Sequence, residues 1–231
     1  MKARTRLAIL ECDTPLPGTA AQYGGYGGVF KALLNAGAKA EGHTSAEDIL
    51  DISTHQIESD LDNYPSIADV DALLLTGSPS ALQSKRVRVI GVCFGHQIVA
   101  RALGVEVGRN PDGWEAAVNN VQLSKKGQEL FRVDNLRIHQ MHRDIAFAYP
   151  EGFESLGSSP VCSVQGMYSP RHVVTVQGHP EFTGPIMKEI VETRHKTGIF
   201  DDEAYKTHAK NVDLPHDGVA VGAAFIRFLQ E

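Results

Sequence analysis

Cysteine is scarce, with Cys12, Cys93 and Cys162 making up the whole set. An odd, sparse set builds no disulfide framework and fits a reducing compartment. Long apolar runs are lacking too. The N-terminal stretch Leu7-Ala8-Ile9-Leu10 supplies four apolar residues, against the roughly 7–15 of a signal-peptide core. Nothing approaches the roughly 18 of a membrane span. Positive charge is also short: 22 Lys and Arg against 28 Asp and Glu leave a net charge of −6, whereas a nucleic-acid surface needs clustered cations to displace counterions. The one basic cluster, Lys85-Arg86-Val87-Arg88, runs into an apolar stretch and reads as a strand entrance. These deficits predict a cytoplasmic protein with no nucleic-acid partner and no membrane contact.

What is present is ordinary for a globular chain: 42% hydrophobic and 22% charged residues over 231 positions, enough to bury a sizeable core. Apolar runs at Arg6 to Glu11, Asp71 to Gly77, Arg86 to Cys93 and His172 to Gln177 lack the alternation of a half-exposed strand. They read as strands covered on both faces. Helical patterns occur at Thr19 to Ala36, Phe94 to Leu103, Lys125 to Phe131, Pro185 to Lys196 and Asp217 to Leu229, with Gly104 as a stop. Gly24, Gly25, Gly27 and Gly28 lack both the GKS/T ending and the GxGxxG spacing of phosphate loops, so close backbone packing is the expected reason for them. The stretch Glu41 to Asp71 offers only a short strand near His55 to Ile57. Short strands at Ala117 to Leu123 and Leu136 to His139 complete the pattern. With no repeat or linker, residues 1–231 read as a single α/β domain with a largely parallel sheet.

The chemistry concentrates in Val89-Ile90-Gly91-Val92-Cys93-Phe94-Gly95-His96-Gln97. This is a strand-to-helix turn with glycines on either side of a nucleophile, Cys in the place of Ser. A Cβ at Gly91 or Gly95 would crowd the turn, which holds Cys93 in a conformation few residues tolerate. The helix that follows points its N-terminus at the sulfur, where negative charge is favoured, and the thiolate is the attacking species. The N–H of Phe94 is placed to face the oxygen of a tetrahedral intermediate. Among ten histidines, His179 ends an apolar strand in Gly178-His179-Pro180-Glu181-Phe182. That position lies on the same rim as the cysteine turn. Glu181 can accept the second ring N–H and fix the tautomer. His139, His142 and Asp144 (IHQMHRD) lack the H-E-x-x-H spacing and a cysteine pair, so they read as structural or pocket-lining groups, with no metal.

GVCFGHQ followed by GHPEF resembles the class I glutamine amidotransferases, particularly the stand-alone amidotransferase-like proteins and γ-glutamyl peptidases. The resemblance extends over nearly the whole chain, through DALLLTGS, IHQMHRD and the closing helices. It implies a flavodoxin-like three-layer sandwich with a mostly parallel central sheet. It also implies Cys93 as nucleophile, His179 as base, Glu181 as its orienter, an oxyanion hole near Gly77 and Phe94, and Gln97 helping to hold the substrate. The implied reaction is hydrolysis of a small-molecule γ-glutamyl amide, without a cofactor. The alternatives are a glutaminase subunit feeding a separate ammonia-accepting synthetase, or a catalytically impaired relic. One departure stands out. Only nine residues, Gly77 to Lys85, separate two parallel strands, where a crossover ordinarily takes a dozen or more. Extended, they reach roughly 30 Å at about 3.3 Å each, enough to return along a six-residue strand of about 20 Å but not as a covering helix. The family has a longer, helix-containing connection here, so a lost segment that leaves one sheet face partly bare is expected.

Overall fold

The structure, a computed structural model, describes residues 3–58, 60–75, 84 and 86–231. Its middle layer is a nine-stranded sheet. The first half is parallel and runs from the edge strand β2 (Leu50–Gln56) through β1 (Thr5–Glu11), β3 (Ala72–Leu75) and β4 (Arg88–Val92) to β11 (Val173–Val176). The register sets Leu74 beside Ile9 and Ile90, and Thr175 beside Gly91. Strands covered on both faces need continuous apolar sequence, and every residue of β3 and β11 is buried. β2 is half solvated and carries Asp51, Ser53 and Thr54. Its sequence therefore shows no apolar run, and only its end, near His55, was legible as a strand.

The second half is antiparallel, through β10 (Gly166–Ser169), β9 (Glu154–Ser158), β6 (Glu115–Leu123) and β7 (Leu136–His142). Strand twist accumulates across such an extension, and here it returns to its origin. The backbone of His139 in β7 bridges His179, just beyond β11. A small ladder of β5 (Val107–Arg109) and β8 (Asp144–Ala146) lies beside it.

Helices α2 (Tyr26–Ala40) and α7 (Gly218–Gln230) cover one face, over Leu7, Ile9, Leu74 and Ile90. α3 (Phe94–Ala102) sets Val99 and Ala100 against Leu73, Leu75 and Val89 on the other. The result is the three-layer α/β sandwich. α4 (Lys125–Phe131) follows β6. The helix expected over Thr19 to Ala36 is two helices, α1 (Pro17–Tyr23) and α2, because Gly24 takes φ 80° and ends the first. Close packing holds for other glycines of that cluster: a Cβ on Gly28 would lie 1.9 Å from the Tyr23 carbonyl oxygen. α5 (Gly184–Lys196) and α6 (Asp202–Ala209) pack beside Met141 and Phe182. α6 has no buried residue and so carries no apolar stripe to read; its start is fixed by Asp201, which accepts the N–H of Ala204 at 2.8 Å.

Gly77 and most of the short connection before β4 lie outside the described residues, and with them the lost crossover helix. The bare sheet face does not occur where the sheet is described: Leu73 is 2%, and Leu75 and Val89 are 0% exposed. α3 reaches this face, and Tyr64 and Ile67 from the loop before β3 pack on it. The basic cluster does mark a strand entrance. Arg6 and Arg86 both bind Asp71, at 2.8 and 3.3 Å. Chiefly through the Arg6 hydrogen bond, the Asp71 carboxyl is held down at about 2. Among the described residues no helix is long and apolar enough to cross a membrane.

Candidate active site

Cys93 sits between the end of β4 and the start of α3 with φ 49° and ψ −102°, a left-handed conformation costly for a residue with a Cβ. The neighbours hold it there. Its N–H donates to the Val176 carbonyl at 3.0 Å, which ties the turn to β11. A Cβ on Gly95 would lie 2.0 Å from the Leu75 carbonyl oxygen, and one on Gly91 would lie 2.9 Å from Thr175 Cγ2. Only glycines let β3, β4 and α3 meet this closely. The first-turn N–H groups of α3, Phe94 among them, have no acceptor one turn earlier within the helix.

His179 follows β11 and is fastened by its own backbone, whose N–H donates to the His139 carbonyl at 2.7 Å. Its Nδ1–H donates to Glu181 Oε1 at 2.7 Å, which leaves Nε2 for the sulfur. Burial opposes a charge on His179, but the thiolate of Cys93 and the carboxylate of Glu181, both hydrogen-bonded to the ring, more than offset it. The imidazole pKa is raised to about 10. The structure thus brings Cys93, His179 and Glu181 together, from the ends of two adjacent parallel strands.

Gln97 lies elsewhere. Its side-chain amide donates to the Asp144 carbonyl at 2.8 Å and to Gln177 Oε1 at 3.2 Å, and Gln177 in turn donates to Cys93 Sγ at 3.7 Å. It does not line the cavity before the cysteine, so the geometry gives it a place behind the site rather than in contact with substrate. The IHQMHRD segment is likewise internal. The ring of His139 packs on His216 with centroids 4.6 Å apart, and burial pushes its pKa down to about 3. His142 faces the buried Glu115 carboxylate at 3.2 Å, a pairing between distant segments that no local spacing announces.

The cavity in front of Cys93 measures about 650 Å³, within the range of small-molecule sites. His179, Glu181 and Phe182 form one wall, and Leu16, Tyr26 and Ile199 give it apolar sides. Two charged residues that the sequence did not single out also line it, Asp13 after β1 and Arg194 in α5. Arg194 was hidden among Arg194-His195-Lys196, a run that reads as dipole compensation at a helix C-terminus.

The family profile of glutamine amidotransferase class-I matches residues 51–195. A glutamine amidotransferase-like protein of Schizosaccharomyces pombe is 33% identical over 97% of this chain and 98% of its own. Gamma-glutamyl peptidase 3 of Arabidopsis thaliana is 29% identical, over 83% of this chain and 82% of its own. The glutamine-hydrolyzing subunit of the GMP synthase of Methanocaldococcus jannaschii is 31% identical, over 52% of this chain and 70% of its own. Among solved structures, a glutamine amidotransferase of Thermotoga maritima superposes with a TM-score of 0.64 at 17% identity, covering 99% of this chain and 100% of that one, which shows a shared fold. An α/β sandwich, a glycine-framed cysteine turn and a His-Pro-Glu rim, together with a relative matched over nearly its full length, place this chain in the class I glutamine amidotransferase family.

Proposed function

We propose that this protein hydrolyses a γ-glutamyl amide through a γ-glutamyl thioester on Cys93. The observation that carries the reading is that His179 is hydrogen-bonded both to Glu181 and to the Cys93 sulfur, at the wall of a cavity able to hold a small molecule. His179 takes the thiol proton and keeps it, as its raised pKa requires. The sulfur then attacks the side-chain carbonyl carbon, and the π electrons move to oxygen, which the N–H of Phe94 faces. Gly77, the other expected donor, lies outside the described residues. As the carbonyl reforms, the C–N bond breaks, and His179 gives its proton to the departing nitrogen. Water next attacks the thioester while His179 takes its proton, the C–S bond breaks, and glutamate leaves. Glu181 keeps Nδ1 protonated throughout and balances the imidazolium. Gln97 acts at one remove, by orienting Gln177 against the sulfur.

The relatives named gamma-glutamyl peptidase support a γ-glutamyl peptide as substrate. The similarity to the glutamine-hydrolyzing subunits of GMP synthases favours a second reading, in which ammonia from glutamine passes to a separate synthetase. Glutamate release from glutamine and from a γ-glutamyl dipeptide, by the native chain and by Cys93→Ala, tests both. The hydrolase reading predicts Cys93-dependent turnover of the dipeptide with no other protein present. Turnover of glutamine alone supports the ammonia-supplying reading. Equal background rates from native and variant leave only the impaired relic.

A further inference from the structure

Arg194 makes no ion pair with any described residue, and its Nε is buried without a hydrogen-bond partner. A desolvated guanidinium atom left unpaired costs free energy, so its position needs a reason. It lies on the cavity wall formed by α5, its plane backed by the Trp114 ring at 4.9 Å. Trp114 is itself held edge-on by Phe200, with centroids 5.5 Å apart and planes at 89°. The guanidinium is thus stiffened from behind and open towards the cavity. Burial lowers its pKa, while Tyr26, Cys93 and Asp13 work in the opposite direction, which places all three within Coulombic reach. Asp13 lines the same cavity and is solvent-exposed. One of its oxygens accepts the Thr14 N–H at 2.8 Å, and this fixes the carboxylate at the rim.

We infer that Arg194 and Asp13 form a clamp for the zwitterionic head of an α-amino acid, with Arg194 taking the α-carboxylate and Asp13 the α-ammonium. This rests on the γ-glutamyl reading and narrows it. A γ-glutamyl group carries that head four carbon–carbon bonds, ~5 Å, from its scissile carbonyl, so one cavity can hold the head at one end and present the amide to Cys93 at the other. A planar guanidinium fork matches a carboxylate in two parallel hydrogen bonds. The substrate class that follows is an amide or peptide whose γ-glutamyl residue has both α groups free. An α-linked peptide, with its α-carboxyl consumed in the chain, is excluded.

Binding of three small acids to the native protein, Arg194→Gln and Asp13→Asn, followed by calorimetry, tests the clamp without depending on turnover. The acids are L-glutamate, 4-aminobutyrate (no α-carboxylate) and glutarate (no α-ammonium). The native protein is expected to bind L-glutamate tightest. Arg194→Gln should weaken L-glutamate and glutarate by about 10- to 100-fold, the range given by a lost hydrogen bond to a charged group, and leave 4-aminobutyrate unchanged. Asp13→Asn should weaken L-glutamate and 4-aminobutyrate and leave glutarate unchanged. A uniform loss for all three acids in Arg194→Gln, together with a lowered unfolding temperature, would assign Arg194 to packing on Trp114 and overturn the clamp. Native binding of 4-aminobutyrate as tight as L-glutamate, or no L-glutamate binding at all, would overturn it as well. Failure of the hydrolase reading appears separately, as the absence of Cys93-dependent turnover in a protein that still binds L-glutamate.

Discussion

The imidazole of His179 lies face to face with the ring of Phe182, their centroids 4.0 Å apart and their planes within 5°. Phe182 is itself stacked on Tyr26 at 6.4 Å and is 2% exposed. The stack confines the imidazole to one plane, the plane in which Nδ1 meets Glu181 and Nε2 meets the sulfur. Orientation of the base therefore comes from an aromatic surface as well as from the carboxylate.

Loosening that surface should cost rate rather than stability. Phe182→Leu, a swap between large apolar side chains, is expected to change stability by less than about 1.5 kcal/mol. It should lower kcat by about 10-fold, because small misplacements of a reacting group are costly. An unchanged kcat, measured beside a thermal melt, would remove the stack from the account.

The charge on His179 makes a prediction with a definite sign. Its pKa is raised to about 10, above the ~6.5 of an unfolded histidine, so the folded state binds the proton more tightly. The stability gained is complete below about pH 6.5 and is lost as pH rises through about 10. Glu181→Gln removes one of the two charges that raise the pKa. The ring titration followed by NMR should then fall below the native midpoint, and the stability difference between native and variant should shrink from pH 6.5 to 10. An identical midpoint would contradict the pairing.

Gly95 offers a test of the turn itself. Within a helix, Gly→Ala ordinarily stabilises by roughly 0.5–1 kcal/mol. Here the added methyl would lie 2.0 Å from the Leu75 carbonyl oxygen, so Gly95→Ala should reverse the sign, lower the unfolding temperature and abolish turnover. A more stable and active Gly95→Ala would mean that α3 can move away from β3.

Gln97 is expected to behave as a positioning residue. Gln97→Leu should release Gln177 from its 3.2 Å contact and reduce kcat, with KM held within about twofold. A variant with raised KM and native kcat would instead place Gln97 on the substrate, because such a change marks lost ground-state binding.

The parts of this molecule legible in its sequence are those written in contiguous residues. Covered parallel strands show as unbroken apolar runs, the nucleophile turn as Gly91-Val92-Cys93-Phe94-Gly95, and the rim as His179-Pro180-Glu181. α4 and α5 carry enough apolar periodicity to be bounded within a residue or so. What escaped was written across the chain or in weak local signal. β2 is a polar edge strand, α6 buries nothing, and the break at Gly24 was hidden inside a periodic apolar pattern. The antiparallel extension that returns to fasten His179 is a product of sheet curvature. Arg194 acquires its interest only from the Trp114 ring behind it, far away in sequence, and from the cavity before it, which no local pattern encodes.

The most direct test of the central claim is acid-quench mass spectrometry of the protein during turnover of a γ-glutamyl dipeptide. A γ-glutamyl adduct on the peptide containing Cys93, labile to hydroxylamine and absent from Cys93→Ala, is the predicted result. Steady turnover with no adduct on Cys93, or turnover undiminished in Cys93→Ala, would contradict it.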